Sequence, residues 1–408
     1  MSLPDTAPST RPAMAVLLLV VFVNLMGFGI LMPILPFYAQ AFHAPAWQVT
    51  WMFAAFSVGN FFAEPVWGRM SDKVGRRPVL LGTIFASGLG FIALAFAPGI
   101  WAALAIRLVG GLTTGNLSTI QGYIADITPP RFRSGRIGLL GAAFALGFVA
   151  GPALGGLLAQ PRQGLIGFRL PLFVAGGLSI LAALGVLLFV RESRERAHIA
   201  ADDDPAARFA LIGEARRHPV LGRAMAVTLL YTSAFAAAES TFGLWTQQRY
   251  GWGPRQLSWC FAAVAVTAAL AQGFLTGRLT RRYGEALTLA GGLTVIAVTL
   301  ALQPMGTGMA RAIGLLALTV FGQALALPNI SALISRTTSP RRQGAMLGLN
   351  MSAGALARAA GPVAGGALFS IVGPDAPLYA AAATVAPAIL LAWRAEEAAR
   401  RQRLKEIS

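Results

Sequence analysis

The sequence predicts an all-α membrane protein with twelve transmembrane helices, arranged as two pseudo-symmetric six-helix bundles. Hydrophobic residues make up 56% of the 408 residues and charged residues only 12%, a balance too apolar for a water-soluble chain. Apolar runs of about 20 residues, long enough to cross a bilayer as a helix, recur along the chain. Two sequence patterns also occur twice, once in each half, so one half looks like a copy of the other.

The apolar runs divide into six spans on each side of a polar stretch. In the first half we place them at residues 14–40, 47–69, 79–98, 100–125, 136–159 and 169–190. In the second half we place them at residues 222–248, 256–279, 286–304, 310–335, 343–372 and 376–394. The predicted parts of the chain are an N-terminal tail (1–13), a first bundle (14–190), a linker (191–221), a second bundle (222–395) and a C-terminal tail (396–408).

The net charge of +17 follows from topology rather than from a nucleic-acid-binding surface. Few basic residues fall in the loops after odd-numbered spans, namely Arg162, Arg169, Arg249, Arg255 and Arg311. Arg107 and Arg358 lie within spans, and the rest of the 33 occupy the tails or the loops after even-numbered spans. Short loops rich in Lys and Arg stay in the cytoplasm. We therefore expect a multi-pass protein of the cell inner membrane, with both tails and the linker cytoplasmic and no nucleic-acid partner.

The first repeated pattern lies between spans 2 and 3. It runs over residues 68–77 as Gly-Arg-Met-Ser-Asp-Lys-Val-Gly-Arg-Arg and returns over 277–284 as Gly-Arg-Leu-Thr-Arg-Arg-Tyr-Gly. It resembles the loop signature of the major facilitator superfamily, whose fold is the twelve-helix arrangement predicted above. The resemblance implies that the gating residues are Gly68, Asp72, Arg76 and Asp126, with Asp126 pairing with Arg76.

The second copy of this loop has Arg281 in place of Asp72, which implies a weaker gating role for it. A plainer interpretation of the first copy is that its basic residues only anchor a cytoplasmic loop. That interpretation explains the arginines of the loop, but it explains neither Asp72 nor the glycines.

The second repeated pattern lies in span 5 and consists of Gly147, Gly151, Pro152, Gly155 and Gly156. Its copy in span 11 consists of Ala357, Gly361, Pro362, Gly365 and Gly366. It resembles the signature of the drug/proton antiporters of the superfamily, and the resemblance implies export. Small residues permit close helix packing, here expected between spans 5 and 8, and the proline removes a backbone donor. Without the resemblance, the pattern indicates tight packing alone.

Arg107 lies inside span 4, where an unpaired charge costs several kcal/mol, so we expect it to face the bundle interior. It resembles the arginine in span 4 of proton-coupled members of the superfamily, where that residue is associated with proton transfer. The alternative is a buried residue that hydrogen-bonds the backbone of helix 1.

Span 1, over residues 24–36, resembles that of tetracycline/proton antiporters, but Asn24 stands where those exporters carry an aspartate. An amide does not exchange a proton at physiological pH, which argues against tetracycline as substrate and against a proton site on helix 1.

Two carboxylates lie within spans, Glu239 in span 7 and Glu64 in span 2. An ionised carboxylate is costly in a low-dielectric interior, and a nearby cation reduces that cost. A carboxyl that alternates between such environments takes up a proton on one side and releases it on the other. We rank Glu239 first, since it resembles the span 7 acid of multidrug exporters, and Glu64 second. Arg358 in span 11 pairs with Glu239 or binds an anionic substrate; a static salt bridge is the alternative.

The spans that line the pathway in this superfamily are 1, 4, 7 and 10. Their polar and aromatic residues give the expected substrate-binding set, which Arg358 joins: Asn24, Phe28, Asn116, Tyr231, Phe242, Trp245, Gln323 and Asn329. Such a lining suits flat hydrophobic molecules, although each residue is equally consistent with ordinary packing.

These features favour a monomeric, proton-coupled exporter of small hydrophobic molecules that works by alternating access. Its partners are a small-molecule substrate, protons and the lipid bilayer. The sequence contains no phosphate-binding loop and no set of metal ligands, so we expect no enzymatic activity, no cofactor and no metal. An exporter of an endogenous metabolite, such as a sugar, amino-acid derivative or lipid precursor, is the nearer alternative. A membrane receptor or scaffold that does not transport is the more distant one.

Overall fold

The computed structural model describes residues 10–114, 116–128, 130–193, 213, 218–338 and 342–407. Within these residues the chain is helical, with no β-strand, which confirms the all-α class expected from the sequence. Most of the predicted linker and residues 1–9 of the predicted N-terminal tail lie outside them.

The helices of the first half follow the predicted spans with small shifts at their ends. They are α1 (Thr10–Gln40), α2 (Ala46–Val74), α3 (Arg76–Ala95), α4 (Ile100–Thr113), α5 (Leu117–Ile127), α6 (Pro130–Leu158) and, after a 3-10 helix at Pro161–Phe168, α7 (Arg169–Phe189). Because α1 begins at Thr10, residues 10–13 of the predicted tail are helical.

From residue 218 onward, the described residues form seven helices. They are α8 (Pro219–Tyr250), α9 (Pro254–Leu270), α10 (Gly277–Tyr283), α11 (Glu285–Leu302), α12 (Met309–Thr337), α13 (Gln343–Ile371) and α14 (Ala376–Ile407). A π-helical segment over Ala271–Thr276 joins α9 to α10, so these elements together form one span. The predicted C-terminal tail continues α14 as far as Ile407.

Ten helical segments among the described residues are long and apolar enough to cross a membrane. Helices α2 and α13 match the predicted spans 2 and 11 at 29 residues each, but they carry more polar sequence, including Glu64 and Arg358. Together they account for the twelve spans expected from the sequence.

Span 4 is interrupted, although the sequence predicts one continuous helix over 100–125. Helix α4 ends at Thr113 and α5 begins at Leu117. The hydroxyl of Thr114 donates to the carbonyl oxygens of Gly110 and Gly111, both at 3.0 Å. Glycine has low helix propensity, and such side-chain bonds compete with the helical pattern. The interruption falls at a local run of Gly and Thr.

Contacts divide the helices into two units, described here separately. Unit 1 comprises Met1–Phe42, Val58–Ala200 and Pro254–Trp259, and unit 2 comprises His43–Ser57, Ala201–Gly253 and Cys260–Ser408. In unit 1, α1 packs against α6 and α7, and α3 packs against α7. In unit 2, α8 packs against α13 and α14, and α11 packs against α14. In span numbers these pairs are 1–5, 1–6 and 3–6, and then 7–11, 7–12 and 9–12, so unit 2 repeats the helix pairing of unit 1.

The repeat extends to a backbone turn in each unit. Gly75 separates α2 from α3 with φ +113°, and Gly284 separates α10 from α11 with φ +84°. These angles are accessible to glycine and strained for other residues. The two glycines lie 209 residues apart, so the repeated loop sequence produces the same local turn twice.

Candidate functional site

The glycine motif of α6 lies directly against the backbone of α1. A Cβ atom added at Gly147, Gly151 or Gly155 would lie 2.5 Å from the carbonyl oxygen of Phe22, Met26 or Ile30, respectively. Only a residue without a side chain fits at so close an approach between helices. Three glycines of the motif therefore join spans 5 and 1, rather than spans 5 and 8 as the sequence suggested.

The fourth glycine of the motif faces a different helix. In unit 1, a Cβ atom added at Gly156 would overlap the side chain of Ser258 in α9 and lie 3.0 Å from the carbonyl oxygen of Pro254. The expected contact between spans 5 and 8 is therefore made by this residue. In unit 2 the copied motif behaves like its original, because Cβ atoms at Gly361 and Gly365 would meet the backbone of Ser233 and Ala237 in α8.

Arg76 is the centre of an ionic cluster in unit 1. Its guanidinium lies 2.9 Å from Asp72 Oδ1 and 3.3 Å from Asp126 Oδ2, and it donates to Ser71 Oγ at 2.7 Å. The side chain of Arg76 is 11% exposed, whereas that of Asp72 is 45% exposed. Gly68 lies one turn before Asp72, and a Cβ atom there would lie 3.3 Å from Ser118 Oγ of α5. The four predicted gating residues thus lie where α2, α3 and α5 meet.

The N-terminus of α3 is capped by Glu192, which follows α7. Its Oε1 accepts from the backbone N–H of Arg76 at 2.8 Å, and its Oε2 accepts from that of Arg77 at 3.1 Å. A carboxylate there satisfies amide groups without intrahelical partners and interacts favourably with the positive end of the helix. The sequence patterns do not single out Glu192, since it belongs to neither repeat. The available signal was an acid within the Arg-rich segment that follows span 6.

We expect Glu192→Ala to lower stability by about 1 kcal/mol, because two backbone donors of α3 lose their acceptor. Thermal unfolding in detergent measures this effect with a thiol-reactive dye, since the chain has one cysteine, Cys260, and it is buried. Glu397→Ala, at an exposed glutamate of α14, is the matched control. Equal melting temperatures for the two variants would contradict the capping role.

A polar cluster in unit 2 brings together four residues expected from the sequence. Tyr231 and Glu239 come from α8, Gln323 from α12 and Arg358 from α13. Tyr231 is fully buried and is hydrogen-bonded to Gln323, and Arg358 interacts electrostatically with both Tyr231 and Glu239. The cluster combines a carboxyl group that can exchange a proton with a cation that can compensate its charge. A phenol and an amide add hydrogen-bonding capacity beside them.

A second polar contact joins α1 to the interruption of span 4 in unit 1. Asn24 Nδ2 donates to Asn116 Oδ1 at 3.2 Å, and Asn116 is buried just before α5. Phe28, one turn further along α1, contacts Phe148 with ring centroids 6.4 Å apart. Arg107 is buried in α4, and Glu64 is half-buried in α2.

Phe242, Trp245 and Asn329 form separate contacts of their own. Phe242 is buried beside Trp245, with ring centroids 5.8 Å apart. Trp245 Nε1 donates at 2.6 Å to Asp375 Oδ1, in the turn before α14. Asn329 accepts from Thr280 Oγ1 at 3.0 Å and donates to a carbonyl oxygen of its own helix. Both polar ends of the Asn329 side chain are therefore engaged within unit 2.

Comparisons with known proteins agree on one family. The family model described as the Major Facilitator Superfamily matches residues 17–302 and 240–407. The tetracycline resistance protein, class G, of Vibrio anguillarum is 29% identical over 364 residues, which cover 88% of this chain and 91% of that protein. Multidrug resistance protein 1 of Bacillus subtilis (strain 168) is 27% identical, covering 94% and 96% of the two chains. The crystal structure of the human organic anion transporter MFSD10 (TETRAN) is similar at 26% identity with a TM-score of 0.71, covering 94% of this chain and 100% of that one.

Proposed function

The chain belongs to the Major Facilitator Superfamily, and from that premise we propose that it is a proton-coupled exporter of small hydrophobic molecules working by alternating access. It is a multi-pass membrane transporter of small molecules and not an enzyme. The proposal adds the coupling ion, the direction of transport and the class of substrate.

The observation that carries the proposal of proton coupling is the position of Glu239, a carboxyl group within a membrane-spanning helix, with Arg358 among its electrostatic neighbours. A carboxylate inside the membrane is costly unless a cation compensates it or a proton neutralises it. When Arg358 pairs with Glu239, the ionised form is stabilised. When a conformational change or a bound substrate separates the two side chains, Glu239 loses this compensation and takes up a proton instead. Such a group exchanges one proton for substrate during each cycle.

The driving force is sufficient for concentrative export. One elementary charge crossing a potential of 100 mV supplies about 2.3 kcal/mol. That free energy corresponds to about a fiftyfold concentration ratio for a neutral substrate, before any contribution from a pH difference.

Several features support a hydrophobic drug as the substrate. The glycine motif of α6 resembles the signature of drug/proton antiporters, and relatives of the chain are named for tetracycline or multidrug resistance. Asn24, in place of the aspartate of tetracycline exporters, favours substrates other than tetracycline. We further propose that the transporter is a monomer in the cell inner membrane with both termini in the cytoplasm, surrounded by lipid.

Arg358 favours a second candidate, the export of an endogenous organic anion. Its side chain is exposed within unit 2, so it is able to meet a negatively charged group of a substrate. A similar solved structure is that of a protein named as an organic anion transporter. This candidate covers anionic amino-acid derivatives, sugar acids and lipid precursors.

The test is proton movement in proteoliposomes that hold a pH-sensitive dye. A panel of lipophilic cations, fluoroquinolones, tetracycline and organic anions is added to vesicles with the wild-type protein, and to empty vesicles as a control. We expect proton flux triggered by lipophilic drugs. Flux triggered only by organic anions would replace the drug exporter with the second candidate. Substrate uptake without proton flux would contradict proton coupling.

A further inference from the structure

The ionic cluster centred on Arg76 in unit 1 has a counterpart in unit 2 in which every charge is inverted. The first copy comprises Asp72, Arg76 and Asp126. The residues 209 or 210 positions later are Arg281, Glu285 and Arg336. An acid–base–acid set thus becomes a base–acid–base set at equivalent places, and we call the second set the inverted cluster. Matched changes of sign at all three positions preserve opposite charges within each set.

Both units contain an ion pair between the central residue of the set and its third member. Arg76 Nε lies 3.3 Å from Asp126 Oδ2, and a guanidinium nitrogen of Arg336 lies 2.8 Å from Glu285 Oε1. The central side chains are shielded in both sets, with Arg76 11% exposed and Glu285 14% exposed. Each central residue begins a helix, α3 or α11, directly after a glycine with positive φ. The pairing was therefore retained while its sign changed.

The change of sign also explains the role of Glu192. A cation is unfavourable at the positive end of a helix, so α3, which begins with Arg76, takes its carboxylate from Glu192. Helix α11 begins with Glu285 and so carries a carboxylate of its own. The residues 209 and 210 positions after Glu192 are Arg401 and Gln402, neither of them acidic. The two units thus place a negative charge at the same helix end by different means.

We propose that Glu285 and Arg336, with Arg281, are positioning residues for transport, equivalent in role to Arg76, Asp126 and Asp72. The pair of Glu285 and Arg336 holds the turn before α11 to the end of α12, so that these segments of unit 2 move together during the transport cycle. The absence of an acid at Arg281 is then one part of a complete inversion and not the loss of a gate. This inference rests on the proposed transport function.

The test is a charge swap in the full-length protein in proteoliposomes. We expect Glu285→Arg and Arg336→Glu each to lower the maximal transport rate at least tenfold with KM changed less than twofold, because the conformational step is impaired and substrate binding is not. The double variant Glu285→Arg/Arg336→Glu is expected to recover to within threefold of wild type. Arg282→Glu, an equal change of charge on an adjacent exposed residue of α10, is the control and should leave the rate unchanged.

Stability is followed in parallel through the reactivity of Cys260. If a single charge-swap variant does not fold, the single neutral variant at the same position, Glu285→Gln or Arg336→Gln, replaces it. A folded double swap that stays as slow as the single variants would overturn the inference, as would single variants with wild-type rates. A wild-type protein that transports no compound would refute the proposed function itself, and with it this extension.

Discussion

Glu239→Gln is expected to abolish proton-coupled export, and neutralising Arg358 as well is not expected to restore it. Glutamine keeps the size and hydrogen-bonding capacity of the side chain but exchanges no proton. Losing a positioned proton-transfer group typically lowers a rate by about two to four orders of magnitude. We expect the proton flux triggered by substrate to fall by a comparable factor, whereas binding of a neutral substrate should persist.

The double variant Glu239→Gln/Arg358→Gln separates a proton carrier from a static salt bridge. The single variant leaves Arg358 without the acid that it interacts with, and the double variant removes that imbalance. If the pair served only the fold, the double variant should recover both melting temperature and transport. We expect it to recover melting temperature alone.

Glu64→Gln serves as the matched control, because Glu64 is the second acid within the predicted spans and is ranked below Glu239. We expect that variant to keep proton flux driven by substrate. Loss of flux in Glu64→Gln together with retention in Glu239→Gln would transfer the proton-carrying role to Glu64.

Gly151→Ala is expected to destabilise the protein and to reduce transport sharply, although it adds a single methyl group. The new Cβ would lie 2.5 Å from the carbonyl oxygen of Met26 and 2.8 Å from Cα of Gly29. Both are backbone atoms of α1, so the clash is relieved only if one helix shifts. Overpacking of this kind costs about 1–3 kcal/mol, more than the gain of about 1 kcal/mol in helix propensity.

Gly141→Ala provides the matched control for this prediction. Gly141 lies in the same helix, α6, and a Cβ atom there would have no neighbour within 4 Å. We expect this variant to melt at the wild-type temperature or slightly above it, since only the propensity gain remains. Unfolding followed through Cys260 and transport in proteoliposomes measure both variants. Equal behaviour of the two would contradict the close packing of α1 and α6.

The features that repeat were the ones that the sequence made predictable. The apolar runs gave the twelve spans, and the copied loop and glycine motifs indicated two similar halves. The turns at Gly75 and Gly284, and the packing of Gly151 and Gly361 against α1 and α8, follow from those motifs. Close packing was expected from small residues with span 8 as the partner; Gly156 does face span 8, but the other three glycines of the motif face span 1. A one-dimensional pattern does not show which helix faces which glycine.

Two features that belong to neither repeat, the cap at Glu192 and the interruption of span 4, were missed. Glu192 lies far along the chain from the N–H groups that it caps, so only the folded chain reveals the contact. The interruption after α4 falls at a run of Gly and Thr residues, a local feature that hydropathy does not register. Among the expected substrate-binding residues, Trp245 and Asn329 have their polar atoms engaged by Asp375 and Thr280. Residue type and spacing along the sequence do not distinguish residues whose polar atoms are already hydrogen-bonded, like these two, from the residues of the polar cluster around Tyr231 and Glu239.

The most direct measurement of proton coupling is the substrate ratio at which net transport stops. Proteoliposomes with the wild-type protein are prepared at several pH differences, with the membrane potential clamped to zero, and the substrate ratio that gives zero net flux is determined. Exchange of one proton per substrate predicts that this ratio changes about tenfold for each unit of pH difference. A ratio that stays at one for every pH difference would show a facilitator without coupling, and would contradict the proposal that Glu239 exchanges a proton for substrate.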